Sequence, residues 1–244
     1  MNKLLLLIKG EFLRLTKYHV TTVSLLVAFM WFIILYVIDS NDLLMTLLPF
    51  VIIIDATMMS VIFIGSVMFF EKTEQTMTTM LVTPVSDKDL ILSKAITNTL
   101  HSVMSTSLVI LAFYILKDIE MSWLIMIPSL ILSVFMHSML GFVFSYHSKD
   151  FTSMLVNVMV YALVVTIPVV LYGFGIILQK PIWDYILLVL PTQSSIKLIE
   201  TAFNQIYDFK FFLAIIILLT YAILGYFLYV KPKFKYYAVK QSGV

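Results

Sequence analysis

The chain has 244 residues, of which 61% are hydrophobic and only 12% are charged, and its mean hydropathy is +1.02. Soluble domains are about 45–50% apolar and about 25% charged, so this composition argues against a soluble enzyme and indicates a polytopic membrane protein. The chain contains no cysteine, which excludes a disulfide framework, and the net charge of +2 matters less than where the charges lie.

The first eighteen residues have the pattern of a helix that lies on a membrane surface. Residues 1–18 interleave leucines with five charged side chains, which are Lys3, Lys9, Glu11, Arg14 and Lys17. This mixture is typical of an interfacial amphipathic helix whose basic side chains reach toward lipid headgroups. We therefore expect this segment to lead into the first membrane span.

Six apolar stretches follow along the chain. Each is close to the roughly 20 residues that an α-helix needs to cross a bilayer. The sequence therefore predicts six membrane-spanning helices over residues 19–38, 43–70, 93–116, 122–146, 151–178 and 211–230.

Three segments complete a single all-α transmembrane domain over residues 1–244. Residues 71–92 form a long polar insert between the second and third spans. Residues 179–210 contain two short helical patterns, which we expect to dip into the outer leaflet as re-entrant helices before span six. Residues 231–244 form a basic tail, which we expect to lie on anionic headgroups.

The distribution of lysine and arginine predicts the orientation. If the N-terminus is cytoplasmic, the inner segments hold 12 of the 16 basic residues and the outer segments hold 4. Basic residues accumulate on the cytoplasmic side of membrane proteins. We therefore expect both termini and the insert 71–92 to be cytoplasmic, with the protein in the plasma membrane.

The insert contains a short amphipathic pattern. Residues 76–80 can form one or two helical turns that place Met77, Met80 and Leu81 on one side. Pro84 ends this helix because its ring cannot continue the hydrogen-bond ladder, and Ser86 or Asp87 can cap the next helix. On spacing alone, an ordinary interfacial connector explains the segment equally well.

The order of residues in the insert resembles that of the membrane subunits of type-2 ABC exporters, the ABC-2 permease family. The matching positions are Glu71-Lys72, Thr76, Met77, Met80, Leu81 and Thr83-Pro84-Val85-Ser86, with Lys94 entering the third span. That family has an N-terminal amphipathic helix, six spans and a cytoplasmic coupling helix between spans two and three. The chain departs from the family pattern at Gln75, where glycine is usual, and at Thr78, where an acidic residue is common.

The resemblance implies a transport subunit and not an enzyme. Two six-span subunits, either two copies or a related pair, would each dock an ATP-hydrolysing subunit. The implied coupling residues are Glu71, Thr76, Met77, Met80, Leu81 and Pro84. The exported compound would be amphipathic or hydrophobic, such as a drug or a toxic peptide leaving a bacterial cell.

Nucleotide chemistry is expected in the partner. The sequence contains no G-x-x-x-x-G-K-[ST] phosphate loop, so ATP and magnesium would be bound by the ATPase pair and this chain would carry no cofactor. The sequence has no basic domain of the kind that binds nucleic acid, so no nucleic-acid partner is expected. The expected surroundings are the lipid bilayer and the amphiphilic substrate.

Four polar residues inside the predicted spans are candidates for a substrate path or gate: Asp55, His101, His137 and Asn157. Polar groups at this depth either serve function or satisfy one another by interhelical hydrogen bonds. An ion-coupled secondary transporter that uses Asp55 and the histidines is therefore the alternative function. A metal site is not expected because the histidines lack a carboxylate partner at their depth, and an intramembrane enzyme would need paired catalytic groups that the spans lack.

Overall fold

A computed structural model describes residues 3–117, 119–178 and 180–239, and every regular element in these ranges is helical. An α-helix satisfies its backbone groups within one segment, which suits an apolar chain in lipid. In chain order the helices are α1 Lys3–Lys17, α2 Val20–Tyr36, α3 Asn41–Thr73, α4 Thr76–Leu81, α5 Asp87–Leu116, α6 Trp123–His147, α7 Phe151–Gly173, α8 Trp183–Val189, α9 Pro191–Asn204 and α10 Phe209–Val239.

Five of these helices, α3, α5, α6, α7 and α10, are long and apolar enough to cross a membrane. The count rises to as many as seven if each of two bent pairs forms one span; α1 and α2 meet at 67°, and α8 and α9 at 113°. These helices are those of a multi-pass membrane protein. The predicted count of six lies between five and seven and stays a prediction.

Helix α3 is the central element of the bundle. In its most apolar window 78% of the residues are buried, against 22% in α7 and 28% in α10. The exposed faces of α2, α7 and α10 are covered with large apolar side chains. A soluble protein does not expose apolar surface on this scale, so these faces are suited to lipid or to another membrane subunit.

Two buried clusters mark the two ends of the bundle. At the α4 end, Met68, Met77, Phe142, Phe234 and Tyr237 pack together from four helices. At the α9 end, a second cluster gathers residues of α2, α3, α5, α6, α7 and α9; its members include Leu35, Leu44, Phe113, Leu130, Val169 and Ile196. The α4 end and the α9 end are named by these two clusters below.

The helix ends differ from several predicted span boundaries. Helix α3 continues to Thr73 and α5 already begins at Asp87, where Ser86 Oγ accepts a hydrogen bond from the Asp89 amide at 3.1 Å. The part of the predicted insert 71–92 that lies between the two long helices is residues 74–86. Helix α7 ends at Gly173, before the predicted 178, because the chain turns through Gly175 with a left-handed φ of 68°.

The predicted basic tail is largely helical. Helix α10 runs without interruption from Phe209 to Val239, and a π-helical turn over Gly225–Val230 precedes Pro232, which cannot donate a backbone hydrogen bond. Phe234 and Tyr237 are buried, whereas the lysines of this stretch are exposed. Residues 240–244 of the predicted tail lie outside the described residues.

The segment between α7 and α10 contains two short helices, as predicted. Helices α8 and α9 form a sharply bent pair, and α9 packs between α3, α6 and α10. The predicted segment 179–210 overlaps the start of α10, which begins at Phe209. Its proposed position in the outer leaflet stays a prediction, and Gln179 lies outside the described residues.

Candidate functional site

Helix α4 lies between the end of α3 and the start of α5, and it has one buried face and one exposed face. Met77 is 1% exposed, and Met80 and Leu81 are half-buried against the cluster at the α4 end. The predicted apolar side of the insert therefore packs on the protein's own bundle. A partner protein could not reach Met77 without opening this packing.

The opposite face of α4 is open. Thr78 and Thr79 are exposed, Val82 at the helix end is 85% exposed, and the following Thr83 and Pro84 are exposed as well. An apolar side chain exposed to this extent on a polar turn is available for contact with another protein. The sequence pattern marked Pro84 but not Val82 as a candidate contact.

Gln75 joins α3 to α4 in a strained conformation. Its φ is 57° and its ψ is 14°, which is the left-handed region that disfavours residues with a Cβ by about 1–2 kcal/mol. Glycine adopts this region without the steric penalty because it has no Cβ. At this turn the chain has a glutamine instead.

We expect Gln75→Gly to stabilise the protein modestly, by about 0.5–1 kcal/mol, because it relieves the left-handed strain. Gln75→Val should lower the melting temperature, because a β-branched side chain tolerates positive φ poorly. Thermal melts of the purified protein in detergent would measure both changes. Equal melting temperatures for the two variants would contradict this interpretation.

Four charged side chains meet at the α4 end. Lys94 Nζ of α5 lies 2.9 Å from Glu11 Oε1 of α1 and 2.5 Å from Glu71 Oε1 of α3. Arg14 Nη1 lies 2.6 Å from Glu11 Oε1 and 3.2 Å from Glu71 Oε1. The two acidic and two basic groups balance in charge, and they join α1, α3 and α5. We call Glu11, Arg14, Glu71 and Lys94 the ionic cluster.

The ionic cluster is buried, which sets its energetics. Glu11, Glu71 and Lys94 are each at most 3% exposed. Burying charges is costly, so such a cluster adds little net stability when intact, but loss of one partner is expensive because an uncompensated charge remains. The ionic cluster therefore constrains how α1, α3 and α5 are arranged.

Helix α4 is attached directly to this cluster. Thr76 Oγ1 donates to the Glu71 carbonyl oxygen at 3.1 Å, and Arg14 Nη2 donates to Met80 Sδ at 3.4 Å. Lys3 Nζ also donates to the Pro84 carbonyl oxygen at 3.2 Å. Hydrogen bonds as well as packing therefore link α4 and the turn after it to α1 and α3.

A second, exposed link ties α1 to the turn before α4. Lys17 Nζ lies 2.8 Å from Glu74 Oε2, and the Tyr18 hydroxyl donates to the same oxygen at 2.9 Å. The hydrogen bond from Lys17, followed by that from Tyr18, lowers the pKa of the Glu74 carboxyl. Because the folded-state pKa is lowered, this stabilising contribution is present above the unfolded pKa and is lost as pH falls through the folded value.

Sequence reasoning identified half of the ionic cluster. Glu71 and Lys94 stood out through the family pattern, but Glu11 and Arg14 were interpreted only as part of an interfacial helix. The available signal was their separation of three residues, which places both side chains on one face of α1. Leu5, Leu6 and Leu13 are exposed, so this polar edge of α1 faces the bundle and leucines face outward.

Asp55 is buried in the middle of α3 and has a specific partner. Its Oδ2 accepts a hydrogen bond from Thr106 Oγ1 of α5 at 2.9 Å, and the residue is 7% exposed. A π-helical turn over Ile54–Met58 surrounds it. This geometry matches the structural alternative, an interhelical hydrogen bond, and the predicted role in a substrate path stays a prediction.

We expect Asp55→Asn to leave stability close to that of the wild type, because asparagine can still accept from Thr106. Asp55→Leu should cost about 1–3 kcal/mol by leaving the Thr106 hydroxyl without this partner. Thermal melts of the two purified variants in detergent measure the difference. Equal melting temperatures for Asp55→Asn and Asp55→Leu would contradict a structural role of this hydrogen bond.

The other three candidates lie in separate networks. His101 Nε2 lies 3.4 Å from Ser24 Oγ, and His137 Nδ1 lies 2.8 Å from the Ser133 carbonyl oxygen. Asn157 Nδ2 donates to Ser148 Oγ at 3.0 Å near the α4 end of α7. Among the described residues no contact joins these three side chains to one another, so they do not form a common polar ring.

A central polar contact involves Asn98 instead. Asn98 Nδ2 of α5 lies 2.7 Å from Ser60 Oγ of α3 and 2.9 Å from Ser138 Oγ of α6. Ser60 and Ser138 are 2.9 Å apart, so the three side chains connect the three most central helices. All three are buried, and the contact resembles the small-polar packing expected between membrane helices.

Comparison with known proteins does not assign the chain to a family. No protein-family model matches the chain. No curated protein matches it either.

Proposed function

We propose that the chain is the membrane-spanning subunit of an ATP-driven exporter of the ABC-2 type. The observation that carries the proposal is α4, a short helix with one buried face and one exposed face, held by the ionic cluster between two long helices. Such an element can receive the motion of a partner on its open face. It can pass that motion to α1 and α3 because it is hydrogen-bonded to them, and to α5 because Lys94 pairs with Glu11 and Glu71.

The positions of the two described chain ends support six spans. Lys3 contacts Pro84, and Tyr237 packs beside Met77, so the two described ends of the chain both lie at the α4 end. An even number of crossings is required for this arrangement. Helices α2, α3, α5, α6, α7 and α10 supply six, with α1 at the surface and the α8–α9 pair entering and leaving at the opposite end.

The excess of basic residues in the segments at the α4 end supports a cytoplasmic position for that end in a bacterial plasma membrane. A pair of ATPase subunits would bind ATP and magnesium and dock there, and a second copy or a related permease would complete the transporter. The transported compound would be an amphipathic or hydrophobic molecule moved outward. The chain itself would catalyse no reaction.

Affinity purification from the native host in mild detergent tests this proposal. We expect near-stoichiometric recovery of an ATPase that contains a phosphate loop, and an unrelated tagged polytopic protein from the same host serves as the control. Recovery of the chain alone, stable and monodisperse, would overturn the proposal and direct attention to the ion-coupled alternative.

A further inference from the structure

A cavity lined by residues of α3, α7, α8, α9 and α10 opens at the α9 end, away from α4. Its volume is about 450 Å³, within the roughly 300–1,000 Å³ of small-molecule sites. Phe50 and Tyr172 form apolar walls, and Gln193, Lys197 and Glu200 line it from one face of α9. These three residues are four and three positions apart, so they are neighbours along one helix face.

Of the three carboxylates near the cavity, two form ion pairs with the two lysines and one does not. Lys197 Nζ lies 3.1 Å from Asp208 Oδ2, and Lys210 pairs with Asp184. Lys210 also lies over the ring of Tyr185, with Nζ 5.3 Å from the centroid. Glu200 has no ion pair and no hydrogen bond with another described residue.

A second polar group of the cavity also lacks a partner. Gln193 Oε1 is buried and receives no hydrogen bond from any described residue. An unsatisfied buried acceptor costs about 1–3 kcal/mol, which a ligand with N–H groups would recover. Phe50, which lines the same cavity as both polar groups, stacks on Phe174 with ring centroids 5.4 Å apart.

We infer that this cavity binds the cationic head of an amphiphilic ligand, an ammonium or guanidinium group. Glu200 supplies the counter-charge, Gln193 accepts from the ligand's N–H groups where it has them, and the aromatic walls provide cation–π contact. An anion is disfavoured because both lysines are already paired. As a statement about substrate class this inference rests on the proposed function, but binding itself can be measured without an ATPase.

The test is calorimetric titration of the full chain in phosphatidylglycerol nanodiscs, with empty nanodiscs as reference. The probe is hexyltrimethylammonium and the anionic counterpart is hexyl sulfate. We expect saturable binding of the cation only. Glu200→Gln should weaken it about tenfold, equivalent to about 1.4 kcal/mol, whereas Glu200→Asp should stay within about threefold of the wild type because it retains the charge.

Glu120→Gln is the matched control, because it removes the same charge from an exposed position near the same end of the bundle. It should leave the affinity unchanged. Equal affinity in Glu200→Gln and the wild type, or preferential binding of hexyl sulfate, would overturn the inference. A melting measurement shows whether each variant is folded. If Glu200→Gln does not fold, the affinity of Glu200→Asp for the cation still tests the inference.

Two further comparisons complete the test. The first distinguishes a lipid amine from a free organic cation, and the second distinguishes failure of this inference from failure of the proposed function. Displacement of the probe by added phosphatidylethanolamine would identify a lipid amine as the occupant, and its persistence would identify a free organic cation; both support a cation site. Cation binding without a co-purifying ATPase would contradict the proposed function and leave this inference standing. A co-purifying ATPase without cation binding would contradict this inference and leave the proposed function standing.

Discussion

Lys94→Met is expected to be the most destabilising single substitution at the α4 end. It leaves Glu11 and Glu71 buried with only the partly exposed Arg14 as counter-charge. Removal of one partner of a buried ion pair costs about 3–5 kcal/mol, which corresponds to a fall in melting temperature on the order of 10 °C. Thermal melts in detergent measure this change.

The reason for the loss can be tested with a double variant. Lys94→Met combined with Glu71→Gln restores charge balance in the ionic cluster, because one acidic and one basic group remain. The double variant should therefore melt above Lys94→Met alone, although it carries one more substitution. Lys88→Met, an exposed position on the first turn of α5, is the control and should melt like the wild type. Wild-type stability of Lys94→Met would contradict the role given to the ionic cluster.

Val82→Asp is expected to have the largest effect on partner binding. The side chain is 85% exposed at the end of α4, so a charge there does not disturb the bundle. A charge in an apolar contact with another protein commonly costs 2 kcal/mol or more, so the recovery of ATPase should fall by about tenfold or more. Quantitative mass spectrometry of the purified complex gives the ratio of ATPase to chain.

Two comparisons make this result specific. Ile206→Asp places the same charge on an exposed position at the α9 end and should leave ATPase recovery unchanged. Met77→Asp should instead lower the melting temperature, because it buries a carboxylate where a 1% exposed methionine packs. Undiminished ATPase recovery with Val82→Asp would show that the open face of α4 is not the docking surface.

The distinction between Met77 and Val82 illustrates what a sequence pattern can and cannot supply. Helical periodicity correctly placed Met77, Met80 and Leu81 on one side of α4. It could not tell whether that side meets the chain's own helices or a partner, because both surfaces select apolar residues. The burial of Met77 beside Phe234 and Tyr237 depends on α10 continuing beyond the last span.

The extent of α10 was itself not predictable from composition. Residues 231–239 are rich in lysine and contain a proline, which normally argues against continuation of a helix. The helix continues because Phe234, Tyr237 and Ala238 bury against the α4 end while the lysines remain exposed. Packing with residues distant in sequence therefore outweighed the local signal.

By itself, the sequence determined that this is an all-helical multi-pass membrane protein, where most of its long helices lie, and that a short helix occupies the polar insert. These properties follow from local hydrophobicity, since an apolar helix satisfies its own backbone. Only the tertiary structure decided that Lys94 meets Glu11, 83 residues away, that Asp55 bonds to Thr106, and that Glu200 remains unpaired in a cavity. Such pairings depend on how helices rotate and pack against one another, and no local pattern encodes that choice.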